Sequence, residues 1–153
     1  MIYFDFGKTL DEAKRDALEL GVDLRSMREP LERAVREVMI PSFRKNFDNE
    51  GRPGWPPAAR DYGHSLLNDT GKLKSSATTL VIWDITQQDA RINPGNLTSR
   101  VGFKALHQSG AKTGKNRSFP ARPFIMMQKE DEVEIENVFT DWMEERVNAR
   151  WGR

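Results

Sequence analysis

Apolar residues recur at helical spacing through the first third of the chain. Residues 10–20 predict a helix, because Thr9 and Glu12 form a capping-box arrangement ahead of an apolar face of leucine and alanine. A longer helix follows Asp23, its predicted N-cap, and Pro41 is expected to kink or end it. The predicted core face of this second helix comprises Leu24, Met27, Leu31, Ala34, Val35, Val38 and Met39.

Strand patterns mark the first residues and the middle of the chain. Residues 1–6 alternate between large and polar side chains, and residues 78–85 are rich in β-branched and aromatic residues, which favour a pleated sheet. Shorter strands are predicted at residues 90–92 and 98–103, with a turn over residues 93–96 between them. The pattern therefore predicts a small, mostly antiparallel sheet.

Three further segments complete the pattern. Residues 46–62 are rich in glycine and proline and predict a loop whose Trp55 packs onto the domain. Residues 66–76 predict a short helix with Gly71 near its start. An amphipathic helix is predicted from residue 128 to 147, with an inward face of Val133, Ile135, Val138, Phe139, Trp142 and Met143.

These elements predict an α+β fold, in which a small, mostly antiparallel sheet packs with N-terminal helices and a long C-terminal amphipathic helix. The chain has 153 residues, enough for a single domain with its own core, and that domain is expected to span residues 1–153. Residues 107–124, rich in small and basic residues, are expected to form a flexible basic loop within it.

Composition narrows the class of protein. The chain has no cysteine, which excludes disulfides, thiolate metal sites and cysteine nucleophiles and suits a reducing compartment. No apolar run approaches the roughly 20 residues that span a bilayer, and the first residues lack the pattern of a signal peptide. We therefore expect no membrane association, and synthesis in the cytoplasm.

Charge is unevenly distributed although the formal net charge is only +1. Residues 90–128 contain no aspartate or glutamate, and their basic residues are Arg91, Arg100, Lys104, Lys112, Lys115, Arg117 and Arg122. The predicted C-terminal helix carries Glu130, Asp131, Glu132, Glu134, Glu136, Asp141, Glu144 and Glu145. Three interpretations stay open: two solvated surfaces, basic contacts to nucleic-acid phosphates, or the basic segment of one subunit against the acidic helix of the next.

The loop over residues 107–124 has a stiff end. Pro120 and Pro123 force an extended path, because each proline also disfavours a helical conformation in the residue before it. Phe119 and Phe124 are predicted to anchor the loop on either side of this stretch. The loop is expected either to order on meeting a partner or to fold back onto its own sheet.

Candidate catalytic chemistry is sparse. His64 and His107 have no partner histidine at helical spacing, and no glycine-rich phosphate-binding motif is present. A hydrolase that uses His107 with Ser109 or Ser118 would need a geometry that nothing in the sequence indicates. We expect no enzymatic activity, no metal and no cofactor.

Three sets of residues stand out as motifs. They are residues 43–55 (FRKNFDNEGRPGW), residues 67–73 (LNDTGKL), and the pair 106–110 (LHQSG) and 120–124 (PARPF). In their order and spacing the chain resembles the virion morphogenesis, or tail-completion, family of tailed bacteriophages, which sits among neck and tail-terminator proteins. The resemblance covers about residues 30–130.

The resemblance implies a structural virion protein at the head–tail junction, assembled in the host bacterial cytoplasm. It implies a homo-oligomeric ring, expected to be a hexamer, that adjoins head-connector and tail-tube proteins and passes duplex DNA through its lumen. Arg122 is predicted to hold the Pro-Ala-Arg-Pro turn by hydrogen bonds to a carboxylate or a carbonyl, because its planar guanidinium group suits such a contact. The predicted contacts to DNA or to a neighbouring subunit are Arg100, Lys104, Lys112, Lys115 and Arg117. A basic nucleic-acid-binding module acting outside a particle is the alternative.

Overall fold

The structure, a computed structural model, describes residues 2–3, 15, 26–59, 61, 63–93, 107–113 and 117–151. Apart from Arg15, which is helical, the helix predicted at residues 10–20 lies outside these residues. So do the strand predicted at residues 98–103 and most of the turn before it. Within the described part of the chain, no helix combines the length and the apolar character that a bilayer crossing requires.

The long N-terminal helical segment passes through Pro41 without ending. Helix α1 (Arg28–Ala34) leads into a π-helical turn (Val35–Met39) and then into α2 (Ile40–Asp48). The expectation that Pro41 could end the helix is wrong, because the segment continues through it and the wider π turn directly before Pro41 accommodates the proline. The described members of the predicted core face are all buried: Met27, Leu31, Ala34, Val35, Val38 and Met39.

A three-stranded antiparallel sheet lies against this helix. It is formed by β1 (Ile2–Tyr3), β2 (Ile82–Ile85) and β3 (Ala90–Asn93), in the order β1-β3-β2. Trp83 of β2 stacks on Phe43 of α2, with ring centroids 6.2 Å apart, and so joins sheet and helix.

The helix and strand predicted over residues 66–85 have shifted boundaries. Helix α3 (Lys72–Thr78) starts six residues later than predicted, because Gly71 adopts a left-handed conformation (φ 69°) and serves as its N-cap. The helix also runs two residues further, and the hydroxyl of Thr78 donates to the carbonyl of Lys74. The strand predicted from residue 78 therefore starts only at Ile82.

The segment predicted as a basic loop contains regular structure. Residues 107–109 form a helical turn, and β4 (Ala111–Thr113) pairs antiparallel with β5 (Arg117–Phe119). We call β4 and β5 the basic hairpin; residues 114–116 between them lie outside the described residues. The flexibility of this loop stays a prediction.

The C-terminal helix α4 (Lys129–Trp151) packs across α1 and the π turn. Ile135, Phe139 and Trp142 are buried as predicted, and Val138 and Met143 are partly buried. The prediction that Val133 points inward is wrong, because its side chain is 56% exposed. A residue two positions before Ile135 is turned by about 200° around the helix axis and faces away from the core. The α+β class is confirmed.

Candidate functional site: the Arg122 segment and its charged neighbours

Gln108 clamps the Pro-Ala-Arg-Pro-Phe segment through three hydrogen bonds. Its Oε1 accepts from the backbone amides of Phe124 (3.0 Å) and Ile125 (3.1 Å), and its Nε2 donates to the carbonyl of Ile125 (2.7 Å). The backbone amide of Arg122 also donates to the carbonyl of His107 (2.6 Å). Hydrogen bonds to backbone amides and carbonyls therefore hold the two halves of the third motif together.

Arg122 ties the same segment to the Trp55 loop. Its Nε donates to the carbonyl of Pro56 (2.9 Å) and its Nη2 to the carbonyl of Pro57 (2.8 Å), while the side chain is buried. In return, the indole of Trp55 donates to the carbonyl of Pro123 (3.0 Å). The guanidinium binds carbonyl groups 65 and 66 residues away, outside its own turn.

Two glycines permit these close approaches. A Cβ on Gly110, whose φ is +71°, would lie 2.8 Å from the amide nitrogen of Ala121 and 2.9 Å from the carbonyl of Phe119. A Cβ on Gly51, whose φ is +101°, would overlap the indole of Trp55. Both positions also favour glycine on backbone conformation alone. The glycines of two motifs are therefore required by the geometry.

Arg52 centres a second polar network at the start of α4. It donates to the Asn46 side chain (Nε, 2.9 Å), to the Ser42 carbonyl (Nη2, 3.0 Å) and to the Glu130 carboxylate (Nη1, 2.8 Å). Asp131, which is buried, accepts from the Ser42 hydroxyl and from the Gln128 amide. It therefore fills the role of the acidic residue in a capping box, three positions after the N-cap. This network joins α2, the Trp55 loop and α4.

The residues predicted to contact DNA or a neighbouring subunit are only partly described. Lys112 is exposed on β4, and Arg117 begins β5. Arg100, Lys104 and Lys115 lie outside the described residues. Of the predicted anchors, Phe124 is buried against Phe47, with centroids 5.4 Å apart, and Phe119 is half-buried.

Of the four described basic residues between residues 90 and 128, two are used inside the subunit. Arg91 pairs with Asp89 (2.7 Å), and Arg122 is buried against backbone carbonyls. The other two, Lys112 and Arg117, are among the five predicted contact residues. The cationic surface available to a partner is thus smaller than the sequence suggests, and its described part is the basic hairpin.

Ion pairs tie α4 to α1. Arg33 pairs with Glu145 (2.8 Å), and its hydrogen bond to Glu145 holds the pKa of that carboxyl below its usual range. Glu29 accepts from the Trp142 indole (3.0 Å) and from Arg146 (3.0 Å), and these hydrogen bonds, in that order, lower the pKa of Glu29. These contacts hold the outer edge of the helix pair together.

The histidines do not assemble a catalytic or metal site within the described residues. Burial, and secondarily the charge of Arg122, lower the pKa of His107, so this imidazole is neutral at pH 7. His64 contacts the carbonyl of Ser65 (2.9 Å). Among the described residues, no group of three or more histidine, aspartate or glutamate side chains could hold a metal ion.

The roles of Gln108, Arg52 and Asp131 were not predicted from the sequence. The spacing from Gln128 to Asp131 could have indicated the cap at the start of α4. Nothing local could have indicated the clamp by Gln108, because its partners lie 16 and 17 residues away.

Comparison with known proteins points to a phage. The chain is 29% identical over 130 residues to Mu-like prophage FluMu G protein 2 of Haemophilus influenzae, a match that covers 84% of this chain and 87% of that protein. No family model matches the chain, and no solved structure matches it significantly. The similarity over most of both chains indicates that this is a phage-related protein.

Proposed function

We propose that the protein is a structural component of a phage virion, a homo-oligomeric ring at the head–tail junction that is needed for stable head–tail joining and DNA passage. It would act in tail completion, as a tail terminator or as a neck protein, and without catalysis. It would assemble in the host bacterial cytoplasm and remain in the virion. The similarity to a Mu-like prophage protein over most of the chain carries this proposal.

The arrangement of the motifs supports it. Residues of the first and third motifs meet in one framework, where Trp55 bonds Pro123 and Asn46 donates to the carbonyl of Phe124 (3.2 Å). The polar side chains of these motifs form hydrogen bonds and ion pairs within the subunit, to backbone groups and to other side chains, and these contacts fix its shape. A protein that works by shape needs such a framework to present its surfaces to neighbouring proteins.

The ring would have partners on each side. We propose a hexamer between a head-connector protein and the tail tube, with duplex DNA in its lumen and no cofactor. In an oligomer of this kind each copy uses two different surfaces, and a contact that closes after a full turn produces a ring.

Removal of the gene from the phage that encodes it tests the proposal. We expect DNA-filled heads and unattached tails in electron micrographs, and infectivity restored by the gene supplied from a plasmid. Images of intact virions should show the protein at the junction. Normal yields of infectious, joined particles without the protein would overturn the proposal.

A further inference from the structure

We infer that the outer face of helix α4 is a docking surface for a second copy of this chain, which it contacts through the basic hairpin. The inference rests on the proposed ring and names the surfaces that would form it. We call the outer face of α4 the acidic face; its carboxylates are Glu132, Glu134, Glu136, Asp141 and Glu144, all exposed.

The carboxylates of the acidic face form no ion pair within the part of the chain that the structure describes. Of the eight acidic residues of α4, Glu130 pairs with Arg52, Glu145 with Arg33, and Asp131 is buried in hydrogen bonds. The other five form no ion pair with any described residue. The carboxylates of α4 that face α1 or the Arg52 network are thus paired, while the five on the outer face have no ion-pair partner among the described residues.

This arrangement costs the free subunit stability. Glu132 and Glu136 are four positions apart on the helix, and like charges at that spacing repel. A partner with positive charge would remove this repulsion.

An exposed apolar side chain lies on the same face. Val133 is 56% exposed, next to Glu132 and Glu134 in sequence, and it gains nothing from facing water. A small ion would not bury a valine, whereas a protein surface would. The occupant is therefore expected to be a protein with basic groups around a small apolar contact.

The chain itself supplies such a surface. The basic hairpin lies within a stretch of 39 residues, 90–128, without an acidic residue. Lys112 is exposed on β4, Arg117 lies on β5, and Phe119 ends β5 half-buried. Acidic face and basic hairpin are different surfaces, so their contact is heterologous, as a ring requires. Duplex DNA would explain the hairpin but would be repelled by the acidic face.

Charge reversal on each side separately tests the contact. The helix variant carries Glu134→Lys, Glu136→Lys and Asp141→Lys, which makes the acidic face net positive, and the hairpin variant carries Lys112→Glu with Arg117→Glu. Self-association of the full chain is measured by analytical ultracentrifugation up to about 1 mM, the range of weak contacts. We expect each variant alone to associate on the order of 10- to 100-fold more weakly than the original chain, because like charges then face each other.

An equimolar mixture of the two variants gives the sharpest result. In the mixture the positive helix of the helix variant meets the negative hairpin of the hairpin variant. At the next contact the acidic face of the hairpin variant meets the basic hairpin of the helix variant. Association should therefore recover in the mixture, and the rings it forms should contain even numbers of subunits. Raising the salt concentration should weaken association of the original chain and of the mixture alike.

A matched control carries Glu37→Lys with Asp84→Lys, which reverses two exposed acidic residues outside α4 and should associate like the original chain. If either reversed variant loses its helical circular-dichroism signal, the neutral pairs Glu134→Gln with Asp141→Asn and Lys112→Gln with Arg117→Gln replace them, with smaller weakening expected. Salt dependence of the original chain is then the second readout.

Three outcomes would overturn the inference. They are a helix variant that associates normally, a mixture that does not recover, or an original chain that stays monomeric at the highest concentration. Loss of DNA binding by the hairpin variant with unchanged self-association would assign the hairpin to DNA instead. Absence of the protein from the head–tail junction would overturn the proposed function, whatever the association experiment gives.

Discussion

Replacing Gln108 by alanine tests the framework at a side chain that bonds to three buried backbone groups. The substitution removes the acceptor of the Phe124 and Ile125 amides and the donor to the Ile125 carbonyl. Phe124 and Ile125 are only 1% and 3% exposed, so these backbone groups have little access to bulk water. The variant therefore leaves three polar groups without their partner.

The expected loss in the free energy of unfolding follows from the number of unpaired groups. A buried backbone group without a partner costs about 1–3 kcal/mol, and water that enters the space of the lost side chain relieves part of it. Taking the lower end for each group gives a loss of about 3 kcal/mol in the free energy of unfolding. That is a large share of the roughly 5–15 kcal/mol that stabilises a typical domain.

Urea unfolding followed by tryptophan fluorescence measures this loss, and the chain has four tryptophans to report it. With a denaturant slope of about 1–3 kcal/mol/M, the midpoint should fall by about 1–3 M. Gln88→Ala is the matched control, because Gln88 is exposed, and it should change stability by about 0.5 kcal/mol or less. If both variants lost the same amount, the hydrogen-bond reasoning for Gln108 would be wrong.

Two further predictions address the glycine and the histidine of the motifs. Gly51→Ala should lower the free energy of unfolding by roughly 2–4 kcal/mol through backbone strain and overlap with Trp55. Gly54→Ala, at an open position, is its control in the same urea assay and should stay within about 0.5 kcal/mol of the original. Because burial lowers the pKa of His107, the folded state disfavours its protonation, and stability should be full above about pH 6.5 and fall as the pH drops below it. Urea unfolding from about pH 7.5 to about pH 5.5 should show this slope, and His107→Asn should flatten it; an equal slope in both proteins would count against the burial argument.

The helices were the most predictable part of the fold. The apolar positions of α1 and the following π turn predicted the buried face, because a repeat near 3.6 residues marks one side of a helix without reference to anything distant. Val133 was the exception. Its apolar character suggested the core, but its position on the turn of α4 placed it opposite Ile135.

Boundaries and the candidate site were less predictable. The end of α3 was missed because β-branched residues favour a strand, while the backbone from Gly71 and the packing of the domain kept Thr78 helical. Lys112 and Arg122 look alike in sequence, since both are cations in an acid-free stretch. The fold exposes the first and buries the second against Pro56 and Pro57.

By itself the sequence determined the α+β class, the buried faces of the long helices and the separation of basic from acidic segments, because each of these depends on residue type and local period. The tertiary structure decided which polar groups meet. Gln108 accepts hydrogen bonds from two backbone amides, Arg122 donates to carbonyls of the Trp55 loop, and Arg52 donates to Glu130 of α4. These partners are 16 to 78 residues apart in the chain. Which polar groups meet depends on how whole elements pack against one another, and the local pattern of side chains does not contain that information.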